Sequence, residues 1–260
     1  MRLDKFLTLA GVGTRSEVKK ILKTGTVAVN GVPVKRPEQK IEPEADRITC
    51  QGRPLLYEPF VALMFHKPAG CITAVSDRTQ KTVMDYIQHE RKDELFPVGR
   101  LDIDTEGLLL LMNDGELAHR MLSPKHHVEK TYFVRVEGEL TREDIDAFDA
   151  GIDIGEKKPT LPAKLTILNC TQCGEADQAD ADKGKGARRT VYRSGVVSEA
   201  EVTICEGKFH QIKRMFAARG CRVSYLKRIS MAGISLDGTL APGTWRELTA
   251  EEKQRLREGQ

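Results

Sequence analysis

No segment of this sequence is long and apolar enough to cross a membrane. A transmembrane helix needs ~20 consecutive apolar residues, and no run in the 260 residues approaches that length. No secretory signal peptide is visible either, since Asp4 and Lys5 interrupt the first apolar residues. We therefore expect a cytoplasmic protein with no membrane partner.

The sequence also lacks the residue spacing of a metal site. Its six cysteines are scattered, and the single C-x-x-C pair, Cys170 and Cys173, has no second pair to complete a zinc site. Scattered cysteines are typical of free thiols in a reducing compartment. We predict no metal site and interpret the pair as coincidental.

Charge is nearly balanced over the chain but uneven along it. The formal net charge is +3, whereas residues 1–58 contain eleven basic and seven acidic residues, which is +4 for this segment alone. A small basic segment joined to a near-neutral body is typical of a polyanion-binding module attached to another domain. A charged surface that only confers solubility is the alternative interpretation.

Residues 1–58 show the pattern of two short helices and a hairpin. Apolar residues recur at helical spacing over residues 3–10, and the T-x-x-E pattern from Thr14 to Glu17 predicts the start of a second helix. Asn30-Gly31 between alternating valines predicts a hairpin turn. Prolines 54 and 59 bracket a predicted linker, so we divide the chain into residues 1–58 and 59–260.

The stretch that organises the larger domain is residues 99–115, GRLDIDTEGLLLLMNDG. Its run of leucines is typical of a strand covered on both faces, and the N-D-G tripeptide predicts a turn after it. Asp102 stands between apolar neighbours just before that strand. A carboxylate beside a core strand is costly unless it is paired or used chemically.

This stretch resembles the G-R-L-D-x-x-T-x-G-L-L-L-x-T-N-D-G signature of bacterial ribosomal RNA pseudouridine synthases, in particular their small-subunit branch. The departure within it is Met112, where threonine is usual, at a position we expect to be structural. The resemblance implies an α+β fold, in which a mixed, mainly antiparallel sheet is flanked by helices. It also implies that Asp102 is the catalytic carboxylate.

Other stretches match further motifs of this family. Residues 130–136 alternate as a strand and match its K-x-Y motif, which makes Tyr132 the residue that stacks on the target base. Residues 206–216 match its E-G-x-x-H-Q motif, in which Lys213 is the basic partner of the carboxylate. Leu226 is placed under the active site by the same resemblance. We add Arg100, beside Asp102, as a candidate for filling the gap left by the target base or for holding phosphate.

The family's strand that runs into a Lys-Pro turn is matched by residues 61–70. We expect Lys67 in this turn to face RNA or to pack locally, and not to be catalytic. Residues 1–58 resemble the S4 RNA-binding domain, in which the second helix and the hairpin form the phosphate-binding face. Six basic residues match that face by position: Arg15, Lys19, Lys20, Lys23, Lys35 and Arg36.

The reaction implied by the resemblance breaks the N1–C1′ bond of a uridine, turns the base and rejoins it through C5. It is an isomerisation, so we expect no cofactor. One ionised carboxylate can stabilise the positive sugar, attack it, or remove the C2′ proton. A cation within ~4–6 Å keeps a partly buried carboxylate ionised, which is a physical reason for Lys213 to face Asp102. Asp104 would complete a glycosidase-like pair, but the family uses only the first carboxylate, so we interpret Asp104 as a turn or surface acid.

The predicted substrate is 16S ribosomal RNA, because residues 123–127 and Lys213-Arg214 resemble the enzymes that act on it. A 23S ribosomal RNA substrate is the alternative within the family. A non-catalytic S4-type RNA-binding or ribosome-assembly protein is the alternative from another class, and the presence of all three catalytic residues argues against it. We expect a monomer bound to a small-subunit RNA precursor. Residues 171–195 mix acidic and basic residues with glycine and are predicted to be a flexible insertion.

Overall fold

The computed structural model describes residues 1–43, 45–55, 58–172 and 195–258. The chain divides into two units, Met1–Val61 with Gln88–Asp93 and Ala62–Ile87 with Glu94–Gln260. The domain boundary after residue 58 stays a prediction. Residues 173–194 of the predicted insertion 171–195, with the second cysteine of the C-x-x-C pair, lie outside the described residues.

The first unit contains the two predicted helices and the predicted hairpin. Its elements are α1 (Leu3–Leu9), α2 (Arg15–Thr24), β1 (Val27–Val29), β2 (Val32–Pro33), β3 (Ile48–Cys50) and β4 (Arg53–Pro54). The Thr14 and Glu17 side chains form the expected capping box. Asn30 and Gly31 both have positive φ, 52° and 82°, as a two-residue hairpin turn requires. Strands β3 and β4 extend this hairpin to a four-stranded sheet of order β2-β1-β3-β4.

The second unit is built on one mixed sheet. Its strands are β5 (Ala62–Lys67), β6 (Phe96–Pro97), β7 (Glu106–Met112), β8 (Lys130–Glu137), β9 (Lys164–Gln172), β10 (Val196–Ile204), β11 (Arg222–Met231), β12 (Ile234–Ser235) and β13 (Trp245–Glu247). Their order is β13-β5-β7-β11-β8-β10-β9, with β6 paired to β7 and β12 to β11. Only the β7–β11 pairing is parallel among the described strands, so the predicted mainly antiparallel α+β fold is confirmed.

Four helices accompany this sheet: α3 (Gly115–Leu122), α4 (Arg142–Ala150), α5 (Gln211–Ala218) and α6 (Ala250–Glu258). Between β5 and β6, residues Val83–Tyr86 form a 3₁₀ helix. Four residues give one turn and too few α-type hydrogen bonds for a stable α-helix. No helix among the described residues is long and apolar enough to span a membrane.

Strand β7 forms the centre of the sheet. The predicted burial is confirmed, because its residues from Leu108 to Met112 are completely buried. Gly107 explains the glycine of the signature: it has φ +102°, and a Cβ there would lie 2.2 Å from the backbone oxygen of Arg228 on β11. The close parallel pairing of β7 with β11 therefore requires glycine at this position.

The parallel pairing also positions the residues predicted to be catalytic. Because β7 and β11 run in the same direction, the segments that lead into them approach the sheet from the same side. The loop with Asp102 leads into β7, and α5 with Lys213 leads into β11. Two segments more than 100 residues apart in sequence (102 and 213) are thereby brought together.

Candidate active site

A cavity of about 990 Å³ lies in the second unit. Its walls come from the loop before β7, the segment that enters α5, and the faces of β8 and β11. All five residues predicted for this domain line it: Arg100, Asp102, Tyr132, Lys213 and Leu226. A volume of this size accepts a nucleotide-sized ligand.

The loop that carries Asp102 is held by hydrogen bonds to the turn after β5. The Thr73 hydroxyl donates to the Leu101 oxygen at 2.8 Å, and the Leu101 N–H donates back to that hydroxyl at 3.1 Å. The Gly70 N–H donates to the Ile103 oxygen at 2.7 Å. These contacts fix the backbone on both sides of Asp102, so its carboxylate is held in position before any substrate binds.

Lys67 supports the same loop from below. Its side chain is fully buried, and its Nζ donates to the backbone oxygens of Pro68 at 3.0 Å, Thr105 at 2.9 Å and Ile103 at 3.4 Å. Burial lowers the pKa of this ammonium group. Of the two expectations for Lys67, local packing is the one observed; a position facing RNA is not.

Lys213 lies between two carboxylates. Its Nζ is 3.1 Å from Oδ2 of Asp102 and 2.5 Å from Oδ1 of Asp104. Partial burial raises the pKa of Asp104, but the hydrogen bond and charge of Lys213 outweigh it, and the pKa is lowered overall. Asp104 is exposed, as expected for a surface acid, but it shares the cation that was predicted for Asp102 alone.

His210 completes the surroundings of Asp102. It precedes α5 in the left-handed conformation, with φ +49°, and its Nε2 is 3.7 Å from Oδ1 of Asp102. Its ring stacks on Phe209, with centroids 3.8 Å apart, and 73% of Phe209 is exposed. Phe209 also lines the cavity, so an aromatic surface is open to solvent at the edge of the site.

Tyr132 and Leu226 form part of the cavity wall made by the sheet. Both are buried, at 7% and 5% exposure. Tyr132 on β8 is the register partner of Arg228 on β11, and Leu226 is the partner of Val134. The two side chains therefore share one face of the sheet because residues two apart along a strand point the same way. Arg100 is exposed at the cavity wall.

The six basic residues predicted to bind RNA lie in the first unit. The four on α2 and the two after β2 are all exposed: Arg15, Lys19, Lys20, Lys23, Lys35 and Arg36. The end of α2 and the segment after β2 meet at Gly25, where an added Cβ would lie 3.2 Å from the Lys35 side chain. The six residues therefore belong to adjoining segments of one small unit.

Several residues that line the cavity were not predicted from the sequence, namely Lys130, Phe209, His210 and Arg228. Three of them, Lys130, Phe209 and His210, stand inside motifs already quoted, and Arg228 is two residues from Leu226. Strand alternation places Lys130 on the same face as Tyr132, which was a usable signal. The left-handed backbone of His210 had no such signal. No group of three or more His, Cys, Asp or Glu residues in the described part of the chain could hold a metal ion.

Comparison with known proteins agrees with these observations. Residues 61–218 match the family described as RNA pseudouridylate synthase, and residues 1–48 match the S4 domain. The chain is 44% identical over 261 residues to a Bacillus subtilis protein named uncharacterized RNA pseudouridine synthase YtzG, with all of both chains covered. It is 38% identical to ribosomal small subunit pseudouridine synthase A of Vibrio cholerae, with 97% of each chain covered.

A solved structure described as a pseudouridylate synthase is also similar. It shares 36% sequence identity and a TM-score of 0.62, and the alignment covers 98% of this chain and 99% of that one. The protein therefore belongs to the family of RNA pseudouridylate synthases, which are isomerases, and carries an S4 domain at its N-terminal end.

Proposed function

We propose that this enzyme converts a specific uridine of 16S ribosomal RNA to pseudouridine, with Asp102 as the one carboxylate that acts on the sugar. The observation that carries the proposal is the position of Asp102 on the cavity wall, 3.1 Å from the Lys213 ammonium and in the same cavity as Tyr132. The small-subunit substrate is supported by relatives named ribosomal small subunit pseudouridine synthase A.

The chemistry needs an ionised carboxylate. Breaking the N1–C1′ bond leaves positive character on the sugar, and a carboxylate can attack C1′ or remove the C2′ proton. Either role is lost when the carboxyl group is protonated. The ammonium of Lys213, 3.1 Å away, places a positive charge beside the Asp102 carboxylate. His210 lies near the same group, with its Nε2 3.7 Å from Oδ1 of Asp102.

Asp104 is a poor partner for a two-carboxylate mechanism. Such a mechanism requires one carboxyl group to hold a proton and donate it to the leaving group. The hydrogen bond from Lys213 lowers the pKa of Asp104, so this group does not hold a proton at neutral pH. We therefore assign Asp104 to the positioning of Lys213 and the sugar chemistry to Asp102.

The base must leave its stack to reach Asp102. In the proposed complex it enters the cavity, stacks on Tyr132 and rests on Leu226, both of which present buried apolar surface there. The Tyr132 hydroxyl would assist removal of the C5 proton. Exposed Arg100 would hold phosphate or fill the place of the flipped base.

The S4 domain would contribute affinity for the RNA. Its six exposed basic residues supply phosphate contacts, which position a nucleic acid without reading its sequence. Selection of one uridine would then rest on the shape of the RNA at the catalytic cavity. We also propose that the enzyme acts in the cytoplasm, on ribosomal RNA, as a monomer.

The experiment is tritium release from C5-labelled uridine in small-subunit ribosomal RNA. Wild type, Asp102→Asn and Asp104→Asn are compared, since the two variants remove the same charge at positions two residues apart. We expect release by wild type and none by Asp102→Asn. Asp104→Asn should stay within about fivefold of wild type, because exposed ion pairs contribute at most about 1 kcal/mol.

The outcomes separate the possible functions. Retained RNA binding by an inactive Asp102→Asn variant supports catalysis at Asp102. No release by wild type on ribosomal RNA of either subunit would contradict the proposed reaction and leave RNA binding as the function. Mapping pseudouridines in cells that lack the protein tests the 16S assignment, and a missing site in 23S RNA would replace it.

A further inference from the structure

Two buried cations lie on the cavity wall beside Tyr132. Lys130 begins β8 and Arg228 lies in β11, with 7% and 2% of their surfaces exposed. Arg228 is the register partner of Tyr132, and its Cζ is 5.9 Å from the centroid of that ring. Lys130 is two residues before Tyr132 and so points to the same face of the sheet. Both cations line the cavity.

Neither cation is neutralised by a carboxylate in the described part of the chain. Lys130 Nζ donates to the Val128 oxygen at 2.8 Å, and Arg228 Nε donates to the Leu108 oxygen at 2.7 Å. Nη2 of Arg228 is buried and has no hydrogen-bond partner. A buried, unpaired charge is strongly unfavourable in a protein interior, so two together call for a ligand that offsets the cost.

Lys67 shows what a purely structural buried cation looks like in the same unit. Its Nζ has three backbone oxygens within 3.4 Å. It does not line the cavity. Lys130 has one such oxygen, and burial followed by the positive charge of Arg228 lowers its pKa. The two residues therefore line the cavity with donors that the protein leaves unused, whereas Lys67 does not line it and donates to three oxygens.

We propose that Lys130 and Arg228 form the subsite that receives the uracil anion released from C1′ of the target nucleotide. The inference rests on the proposed function and adds the groups that act on the base rather than on the sugar. Uracil offers two carbonyl oxygens, O2 and O4, which accept hydrogen bonds from an ammonium or a guanidinium group. Cytosine carries an amino group in place of O4 and would present a donor to these cations.

The proposed role follows from where negative charge develops during the reaction. When the N1–C1′ bond breaks, its electron pair stays with the base, and the resulting negative charge spreads over N1, O2 and O4. The base then turns, C5 forms the new bond to C1′, C5 loses its proton and N1 gains one. Cations placed in advance beside O2 or O4 stabilise the state in which the base carries that charge.

Charged groups of both signs line the cavity. Asp102, which suits a positive sugar, lies beside Lys213 at 3.1 Å. Lys130 and Arg228, which suit a negative base, have no carboxylate partner in the described part of the chain. Glu206, a further carboxylate on the wall, is bound by the Gln211 side chain at 2.9 Å and by the Leu161 N–H at 2.8 Å.

The test uses leaving groups of different stability. Single-turnover tritium release is followed for a target uridine and for 6-azauridine in the same RNA, both labelled at C5. Nitrogen at position 6 stabilises the uracil anion and leaves the C5 hydrogen in place, so this substrate depends less on the cations. We expect Lys130→Gln to slow the uridine substrate about 10²-fold, the cost of losing one preorganised donor, and the aza substrate distinctly less. Lys130→Arg should restore most of the rate.

Arg135→Met is the matched control, because Arg135 lies on the other face of β8 and pairs with Glu199 at 2.7 Å. Its rates should equal those of wild type. Arg228→Gln is measured in the same way. The subsite can then be tested even if one of the two variants does not fold. An unchanged rate, or an equal loss on both substrates, overturns the subsite while leaving the synthase intact. Inactive wild type would instead contradict the proposed function, and the subsite with it.

Discussion

Three lysines of the second unit, Lys67, Lys130 and Lys213, are distinguished by the groups that surround each ammonium. Lys213 is partly exposed and lies within 3.1 Å of two carboxylates. Lys67 and Lys130 are both buried, but the first is surrounded by backbone oxygens and the second faces the cavity. The partners of each ammonium group, rather than its depth, therefore separate a support for the loop from a group that can act on a ligand.

Gly107 supports a prediction about a single side chain. In Gly107→Ala the new Cβ would meet the backbone of Arg228, which cannot move as a side-chain tip can. We expect a loss of more than about 3 kcal/mol in the free energy of unfolding, from combined steric overlap and strain. This loss is measured by urea unfolding of the purified variant and of wild type.

The matched control is Gly155→Ala. Gly155 also has positive φ, +77°, but nothing lies within 4 Å of an added Cβ. Gly155→Ala should therefore lower the free energy of unfolding only by the backbone strain, about 1–2 kcal/mol. Equal losses for the two variants would show that the close approach of β7 to β11 is not what requires glycine.

At the scale of elements, Arg246 links three parts of the second unit. From β13 its Nε donates to Asp237 at 2.8 Å, and its two Nη atoms donate to Glu252 in α6 at 2.8 and 2.9 Å. Hydrogen bonds from Thr239 and Arg246 lower the pKa of Asp237 to about 2, and the bond from Arg246 lowers the pKa of Glu252.

These shifts give a pH-dependent prediction. Carboxyl groups with a lowered pKa in the folded state stabilise it above their ordinary values, 3.8 and 4.5, and lose that effect as the pH falls toward 2. Arg246→Met should therefore unfold at lower urea than wild type at pH 7, and the difference should shrink below pH 4.5. The fluorescence of Trp245, the single tryptophan, reports the transition.

A constant difference between the two proteins from pH 7 to pH 3 would contradict this prediction. It would mean that the packing of the Arg246 stem, and not its ion pairs, holds β13 against α6. Lys164→Met, which removes an exposed cation on β9, controls for the change in net charge.

Many elements could be predicted because their signals are local. The capping box of α2, the Asn30-Gly31 turn, the leucines of β7 and the alternation of β8 each lie within a few consecutive residues. Strands β3 and β4 are short, at three and two residues, and offer too little pattern for such a signal.

The site was predictable only where a motif named its residues. Asp102, Tyr132 and Lys213 lie in three separate stretches, and the family signature connected them before their distances were known. The sharing of Lys213 with Asp104 depends on how α5 meets the loop before β7. The position of Arg228 beside Tyr132 depends on the register of β11 against β8. Neither contact can be predicted from the spacing of residues along the chain.

At the scale of the whole molecule, the basic residues of α2 allow a test of how the S4 domain contributes. We expect the triple variant Lys19→Gln, Lys20→Gln, Lys23→Gln to bind RNA more weakly, while kcat at saturating RNA is unchanged and KM rises. The slope of log affinity against log salt should fall by about 2, because each lost phosphate contact removes about 0.7–0.9.

A control triple carries the same charge change on exposed residues of the second unit: Arg142→Gln, Lys157→Gln and Lys164→Gln. It should leave both the slope and KM near wild type. A fall in kcat for the α2 variant would mean that the S4 domain affects the chemical step as well as the affinity.

The parallel pairing of β7 with β11 also determines when the enzyme can become active during its synthesis. Gly107 and Arg228, which pair across these strands, are 121 residues apart. Pairings between such distant segments form slowly, because a long loop must close before any contact rewards it. A growing chain that has produced Asp102 still lacks α5, which contains Lys213, and β11, which follows it, so more than four-fifths of the sequence must be made before both catalytic segments exist. Activity should thus appear late and abruptly, as the final event of folding.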